Sequence, residues 1–378
     1  MPTNPAVGVY VHVPFCTRRC EYCSFNTAPV GSRDDVSRFV AALLGEIQLL
    51  SRAPWARAAR VETIFFGGGT PSLLEAAELR AVLEGLRAGF TVEGGAEVTV
   101  ECNPESVTRE KLGGYREAGV NRISLGVQSL DDAILPAIGR LHTAAEARRA
   151  FEAAREAGFA NVSVDLIYGL PGLTVEGWSA TVDGVLAWAP EHVSAYGLTL
   201  DPGSVWGSTG VPGLPPEDAV IAHYWAMTER AAASGFEHYE ISNYARPGRR
   251  SRHNQIYWRR GEYLAFGPGA AGFVGDCRYT NVKPVTRYAQ LLDENRLPID
   301  TSEHLTDRQT LAEHLILGLR TADGVDTSAL TGRMAQDPAL RRRVDAWRDQ
   351  GLLRDDGERT RLTEGGFLLS DALFVELL

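Results

Sequence analysis

Apolar and polar positions along the chain follow two periods. Short apolar runs at Val7–Val13, Val61–Phe66, Ala96–Cys102, Arg122–Val127, Val162–Tyr168 and Val193–Leu200 are bounded by turn residues and read as buried strands. Between them apolar side chains recur at helical spacing. From about Asp34 to Ser51, Phe39, Leu43, Ile47 and Leu50 share one face, and Ser32 and Asp34 offer N-cap oxygens. Further helices are expected near Leu73–Ala88, Thr108–Ala118, Thr143–Ala157 and Val175–Ala187. Six strands alternating with helices indicate an α/β domain with a parallel sheet. Right-handed crossovers permit either a doubly wound sheet or a barrel, and periodicity alone does not choose.

From about residue 300 the pattern changes. Leu311, Leu315 and Leu319, then Leu330, Leu340 and Val344, recur at helical spacing, followed by short apolar runs around Leu352 and Phe367. At 378 residues the chain exceeds the size at which single cores stop growing, so more than one domain is expected. The division that follows is an α/β domain over 1–245, a connecting segment over 246–299 and a small helical domain over 300–378.

Composition narrows the class. Hydrophobic residues make up 44% and charged residues 23%, as in soluble globular proteins. No apolar run reaches the roughly 18 residues of a membrane span, and Met-Pro-Thr-Asn-Pro has neither the basic region nor the apolar core of a signal peptide. A cytoplasmic location is expected, with peripheral membrane contact left open and either a monomer or a dimer allowed. The net charge of −10 argues against wholesale nucleic-acid binding, although Arg246–Arg260 carries six arginines and no acidic residue.

Candidate chemistry clusters in the loops after the strands, where ligands bind in folds of this class. Cys16, Cys20 and Cys23 follow the first strand with spacing C-x3-C-x2-C, far from Cys102 and Cys277. Thiolates select iron–sulfur clusters, zinc or Cu(I). A [4Fe–4S] cluster ordinarily takes four cysteines, so three leave one iron open. Structural zinc needs a fourth ligand, for which His12 would have to turn back from its strand, and a disulfide would leave one thiol over. After the second strand, Gly67-Gly68-Gly69-Thr70-Pro71 lets backbone approach a ligand closely. Glu101, Gln128 and Asp165 lie in or at the ends of apolar strands, where they need a partner: a cation, a ribose diol, or an internal salt bridge with Arg122 or Arg140.

The cysteine spacing with Tyr22 before the last cysteine, joined to Gly68-Gly69-Thr70-Pro71, resembles the radical S-adenosylmethionine (SAM) superfamily. That resemblance implies a partial (β/α)6 barrel, a [4Fe–4S] cluster on Cys16, Cys20 and Cys23, and SAM chelated at the open iron. Glu-x-Asn-Pro from Glu101, Gly-Val-Gln-Ser around Gln128 and Asp-Leu-Ile-Tyr-Gly-Leu-Pro from Asp165 are similar to the coproporphyrinogen dehydrogenase-like branch. There Tyr10, Tyr22, Gly68, Gly69, Thr70, Glu101, Gln128, Arg140 and Asp165 correspond to cofactor-site positions, and the C-terminal domain is winged-helix-like. Two departures count against decarboxylation of coproporphyrinogen III. Ser24-Phe25 replaces a further cysteine, and only nine residues precede Tyr10.

The segment His253-Asn254-Gln-Ile-Tyr257-Trp258 resembles the signature of HemW-type haem chaperones. It implies haem binding with His253 as iron ligand beside Asn254, Tyr257 and Trp258, and delivery of haem to an acceptor protein such as a respiratory haem protein. The alternative is a radical enzyme, oxidase-like, methylating or cyclopropanating, that cleaves SAM to a 5′-deoxyadenosyl radical.

Overall fold

The computed structural model describes residues 6–57, 59–375 and 377. Six parallel strands form the centre: β1 (Ala6–Val13), β2 (Arg60–Gly68), β3 (Thr91–Cys102), β4 (Arg122–Gln128), β5 (Val162–Tyr168) and β6 (His192–Gly197). Each pairs with its neighbour in sequence, so the order runs β1 to β6 without a reversal. A doubly wound sheet reverses direction at a switch point; this one winds a single way, as a partial barrel does.

The sheet continues beyond both edges. Tyr263–Phe266 joins β1 in parallel, and Ala271–Val274, Cys277–Asn281 and Ile299–His304 follow antiparallel. On the far side Asn243–Ala245 and Glu237–Glu240 extend β6. Residues 263–304 therefore add strands to the barrel sheet itself, where the sequence reading expects a connector. Glu46 ties this return to the helix Arg33–Leu50: its buried carboxylate accepts from Tyr288 Oη (2.5 Å), Asn281 Nδ2 (2.7 Å) and the Gly267 N–H (2.8 Å).

Alternation along the strands sorts side chains between two environments. Val7, Val9, Val11 and Val13, then Val98, Val100 and Cys102, then Val162, Val164 and Leu166 join the apolar core. The intervening positions turn polar groups into the lumen, including Tyr10, Glu101, Arg122, Ser124 and Asp165. Helices start where the sequence places their caps. Ser32 accepts from Asp35 N–H in a capping box, and Thr143 does the same with Glu146.

At the amino ends of β1 and β2 a short helix, Arg252–Trp258, closes the barrel. Gly8 makes room for it: a Cβ there would lie 3.1 Å from Ile256 Cδ1 and 3.2 Å from His253 Cε1.

The C-terminal unit has its own apolar cluster, including Leu315, Leu330, Val344 and Trp347. Helices Asp307–Leu319, Thr327–Gln336 and Pro338–Asp349 surround a three-stranded antiparallel sheet of Val325–Asp326, Arg359–Leu362 and Leu353–Asp355. That order of elements is winged-helix-like. The unit docks on the barrel domain through Tyr224, which packs in its cluster, and through His238 Nδ1, 2.7 Å from Glu364 Oε2.

Candidate functional site

The cysteine loop is held in place before any ligand is considered. Ala28 N–H donates to the Pro14 carbonyl (2.7 Å) and Val30 N–H to the Cys16 carbonyl (3.0 Å), closing the loop at its base. Arg19 Nη2 donates to the Gly203 carbonyl (2.7 Å), and Trp206 N–H donates to the Glu21 carbonyl (3.0 Å), so the loop also rests on the segment after β6. All three thiols are free and line a cavity of about 300 Å3 at the carboxyl ends of the strands. Burial foremost raises the Cys16 thiol, with Thr70 opposing and Cys23 and Cys20 adding.

The zinc alternative lacks its fourth ligand. His12 Nδ1 lies 3.0 Å from the Tyr10 hydroxyl, and Nε2 lies 2.8 Å from the Asn26 carbonyl, so both ring nitrogens are engaged. Among the described residues no three His, Cys, Asp or Glu side chains are gathered as a single metal ion would require.

The glycine turn serves the loop. Gly69 N–H donates to the Val13 carbonyl (2.8 Å) and Thr70 N–H to the Phe15 carbonyl (2.7 Å). A Cβ on Gly69 would stand 2.5 Å from that same Phe15 oxygen, and Gly68 sits at φ +112°, where an L side chain is strained. These glycines let the end of β2 pack directly on the backbone before Cys16.

A polar relay joins the thiols to strands β3 and β4. Thr70 Oγ1 donates to Cys16 Sγ (3.5 Å) and accepts from Asn103 Nδ2 (3.2 Å). Arg140 Nη2 donates to Asn103 Oδ1 (2.8 Å) and to the Gly126 carbonyl (2.7 Å), while its Nη1 reaches Cys20 Sγ at 3.8 Å. Asn103 is thus a member of the site that the candidate set lacks. Its signal was the Asn-Pro pair directly after Glu101.

Two half-buried carboxyl groups face the same cavity. Burial, then the nearby Asp165 charge, pushes Glu101 up to about 8. Burial also raises Asp165, whose oxygens accept from Ser124 Oγ at 3.1 and 3.0 Å. Among the described residues neither carboxyl forms a salt bridge. Arg122 is buried nearby with its Nε unpartnered, and Arg140 is committed to Asn103 and Cys20. Gln128 carries φ +68°, a conformation uncommon for a residue other than glycine, and its Oε1 is buried without a partner. Strained backbone and unpaired polar atoms concentrate where a ligand completes the arrangement. These atoms fit a ligand carrying both an ammonium group and hydroxyls.

Residues 10–184 match the model of the radical SAM superfamily, and residues 305–369 match that of the HemN C-terminal domain. The chain is 38% identical to a protein of Mycobacterium tuberculosis named heme chaperone HemW, over 100% of this chain and 96% of that one. It is 34% identical to the Bacillus subtilis protein of the same name, over 97% and 98%. The chain belongs to the HemW family of the radical SAM superfamily. Its fold is also that of coproporphyrinogen III oxidase (HemN) from Escherichia coli, with a TM-score of 0.87, 24% identity, and coverage of 100% of this chain and 91% of that one.

Against that family background, the cavity brings together Cys16, Cys20, Tyr22, Cys23, Gly68, Gly69, Thr70, Glu101, Gln128, Arg140 and Asp165. Tyr10 lies lower, in a second chamber of about 230 Å3 inside the barrel, which shares Glu101, Ser124, Asp165 and Tyr196 with the first. The HemW-type signature is divided by its helix. Asn254 and Tyr257 line the lower chamber, whereas Trp258 lines a groove on the outside.

His253 differs from the axial-ligand expectation. It is fully buried against Phe65, ring centroids 5.0 Å apart, with Thr63 Oγ1 2.7 Å from Nδ1 and the Tyr257 hydroxyl 2.7 Å from Nε2. Its backbone N–H donates to Glu97 Oε1 (3.1 Å), and burial pushes its pKa down to about 3. With both ring nitrogens engaged inside the barrel, it offers none to an external iron.

The arginine run is likewise dispersed. Arg246 stacks on Phe236, Arg252 donates to the Gly95 carbonyl (2.7 Å), and Arg260 pairs with Glu313 (3.4 Å). No helix among the described residues is long and apolar enough to cross a membrane.

Proposed function

We propose that this protein holds a [4Fe–4S] cluster on Cys16, Cys20 and Cys23 with SAM beside it, and carries haem to an acceptor protein. The observation that carries the reading is the convergence of three free thiols on one cavity with the Thr70–Asn103–Arg140 relay. Membership of the HemW family supports the haem-carrier half.

Bound there, the cluster supplies an iron with an open coordination position and one-electron chemistry. The chain's own residues do the rest. Thr70 Oγ1 and Arg140 Nη1 direct donors at Cys16 and Cys20 and so orient the two sulfurs that would ligate iron. Gly68 and Gly69 bring backbone to the rim where the amino group of SAM is expected. Glu101, Gln128 and Asp165 present acceptors, and Arg140 a cation, to the remainder of the ligand. Both carboxyls are half-buried in the cavity wall, where a bound cationic ligand would displace water and so meet them in a medium where charge interactions are strong.

A second reading, a radical enzyme, is favoured by the mouth of the cavity. Phe25, Leu141 and Tyr196 are 61%, 47% and 43% exposed there, an apolar rim suited to a large substrate.

The test is anaerobic reconstitution followed by a haem titration and transfer assay. The carrier reading expects four irons per chain, about one haem bound and no consumption of SAM. Fully loaded protein that binds no haem overturns it. Formation of 5′-deoxyadenosine on adding a porphyrinogen selects the enzyme.

A further inference from the structure

The helix Arg252–Trp258 and the helix Asp307–Leu319 both contribute to a groove of about 260 Å3 lined in part by Arg250, Trp258, Arg259, His314, Asp323 and Arg359. We infer that this groove is the haem site, with His314 as the iron ligand, Trp258 against the macrocycle and the arginines facing the propionates. The inference rests on the haem-carrier reading and deepens it.

The histidines decide the ligand. All eight fall among the described residues, and His314 alone is exposed and without a hydrogen-bond or ion-pair partner. His12, His142, His192, His238 and His253 have both ring nitrogens engaged, His223 is fully buried, and exposed His304 lies 3.1 Å from Asp276. A free neutral imidazole is a usual axial ligand of haem iron.

The walls supply the rest of the chemistry. Trp258 is half-buried and set edge-on against Tyr239, at 5.7 Å between centroids, leaving indole surface in the groove. Arg250 is held between two carboxylates, Asp323 (3.0 Å) and Glu237 (3.2 Å), Arg259 lies 3.7 Å from Asp323, and Arg359 donates to the carbonyls of Asp323 and Gly324. Arg359, whose guanidinium among the described residues meets only carbonyls, and the more distant Arg259 are the two cations that the carboxylates of a ligand would meet.

The groove is built, since its two sides are fastened together. Arg260 Nη2 donates to Thr310 Oγ1 (3.1 Å), Ala322 N–H donates to the Tyr239 carbonyl (3.0 Å), and Arg320 pairs with buried Glu240 (2.6 Å). Its volume falls below the roughly 300–1,000 Å3 of sites that enclose a ligand. Haem would be gripped along one edge and left accessible, as handover to an acceptor requires.

The test titrates the full-length, cluster-loaded protein with Fe(III) protoporphyrin IX and follows the Soret band in wild type, His314→Ala, Arg259→Glu and His304→Ala. The expected result is at least a tenfold weakening with a shifted Soret band in His314→Ala, weakening in Arg259→Glu, and no change in His304→Ala. Tight wild-type binding that His314→Ala leaves untouched overturns this site while the carrier reading stands. Equal losses in His304→Ala and His314→Ala mean adventitious surface imidazole and also overturn it. Wild type that binds no haem removes the carrier reading itself.

Discussion

His253 Nε2 and the Tyr257 hydroxyl lie 2.7 Å apart, one helical turn from each other, and both side chains face the barrel interior. Trp258, the next residue, faces the outer groove. A single short helix thus presents one face to the chamber beneath the cysteine site and another to the junction with the C-terminal unit. Tyr257→Phe leaves the buried His253 nitrogen unpaired, at a cost of about 1–3 kcal/mol. Urea unfolding checks this, and a midpoint equal to that of wild type would contradict it.

Stability of the ligand-free protein should respond to pH through Glu101. Its folded pKa of about 8 lies above the ordinary carboxyl value, so the folded state holds a proton that the unfolded chain has already lost. The contribution is therefore full below about pH 4 and declines as pH rises toward 8. Glu101→Gln, neutral throughout, should flatten that decline in melting temperature between pH 5 and 8. His253 acts oppositely: its folded value of about 3 makes stability fall as pH drops below about 6.5.

Gly69→Ala should disturb the cysteine loop, because the added Cβ, fixed to the main chain, meets the backbone oxygen of Phe15 at 2.5 Å and no flexible side chain can yield. A loss of about 1–3 kcal/mol is expected, together with lower iron content after reconstitution. Gly45→Ala, in the helix Arg33–Leu50 with nothing within 4 Å of its Cβ, is the control and should stabilise by about 0.5–1 kcal/mol. Iron assays and thermal melts on the pair separate the two effects.

Arg140→Lys keeps a cation but loses the fork that spans Cys20, Asn103 and the Gly126 carbonyl. The expected outcome is near-normal folding with SAM affinity about tenfold weaker, a change of about 1.4 kcal/mol. Equilibrium dialysis of the cluster-loaded variant measures it, and unchanged affinity would remove Arg140 from the ligand site.

Much of the barrel is legible in the chain by itself. Each of the six strands lies where the apolar runs place it, and the helices Arg33–Leu50, Ala144–Glu156 and Val175–Leu186 fall within a residue or so of their expected ends. These elements are determined locally, by side-chain period and by caps such as Ser32 and Thr143. The cysteine and glycine motifs are also legible, because they are contiguous and their spacing carries their chemistry.

Tertiary structure decided the remainder. The strands over 263–304 are short, and they run from the mostly buried Tyr263–Phe266 to the wholly exposed Ile299–His304, so no single period marks them, and only successive pairing outward from the β1 edge makes them strands. The inward placement of Glu101 and Asp165 depends on which strand face meets the helices, a choice made by the apolar core as a whole. Asn103 enters the site through Arg140, 37 positions away. The signature helix shows the same limit. His253 and Trp258 are read together along the chain, yet the helix sets them on different sides of the barrel floor, and His314, from another domain, shares Trp258's groove. Sequence specifies which chemistry is present and in what order; packing distant segments against one another decides which groups meet.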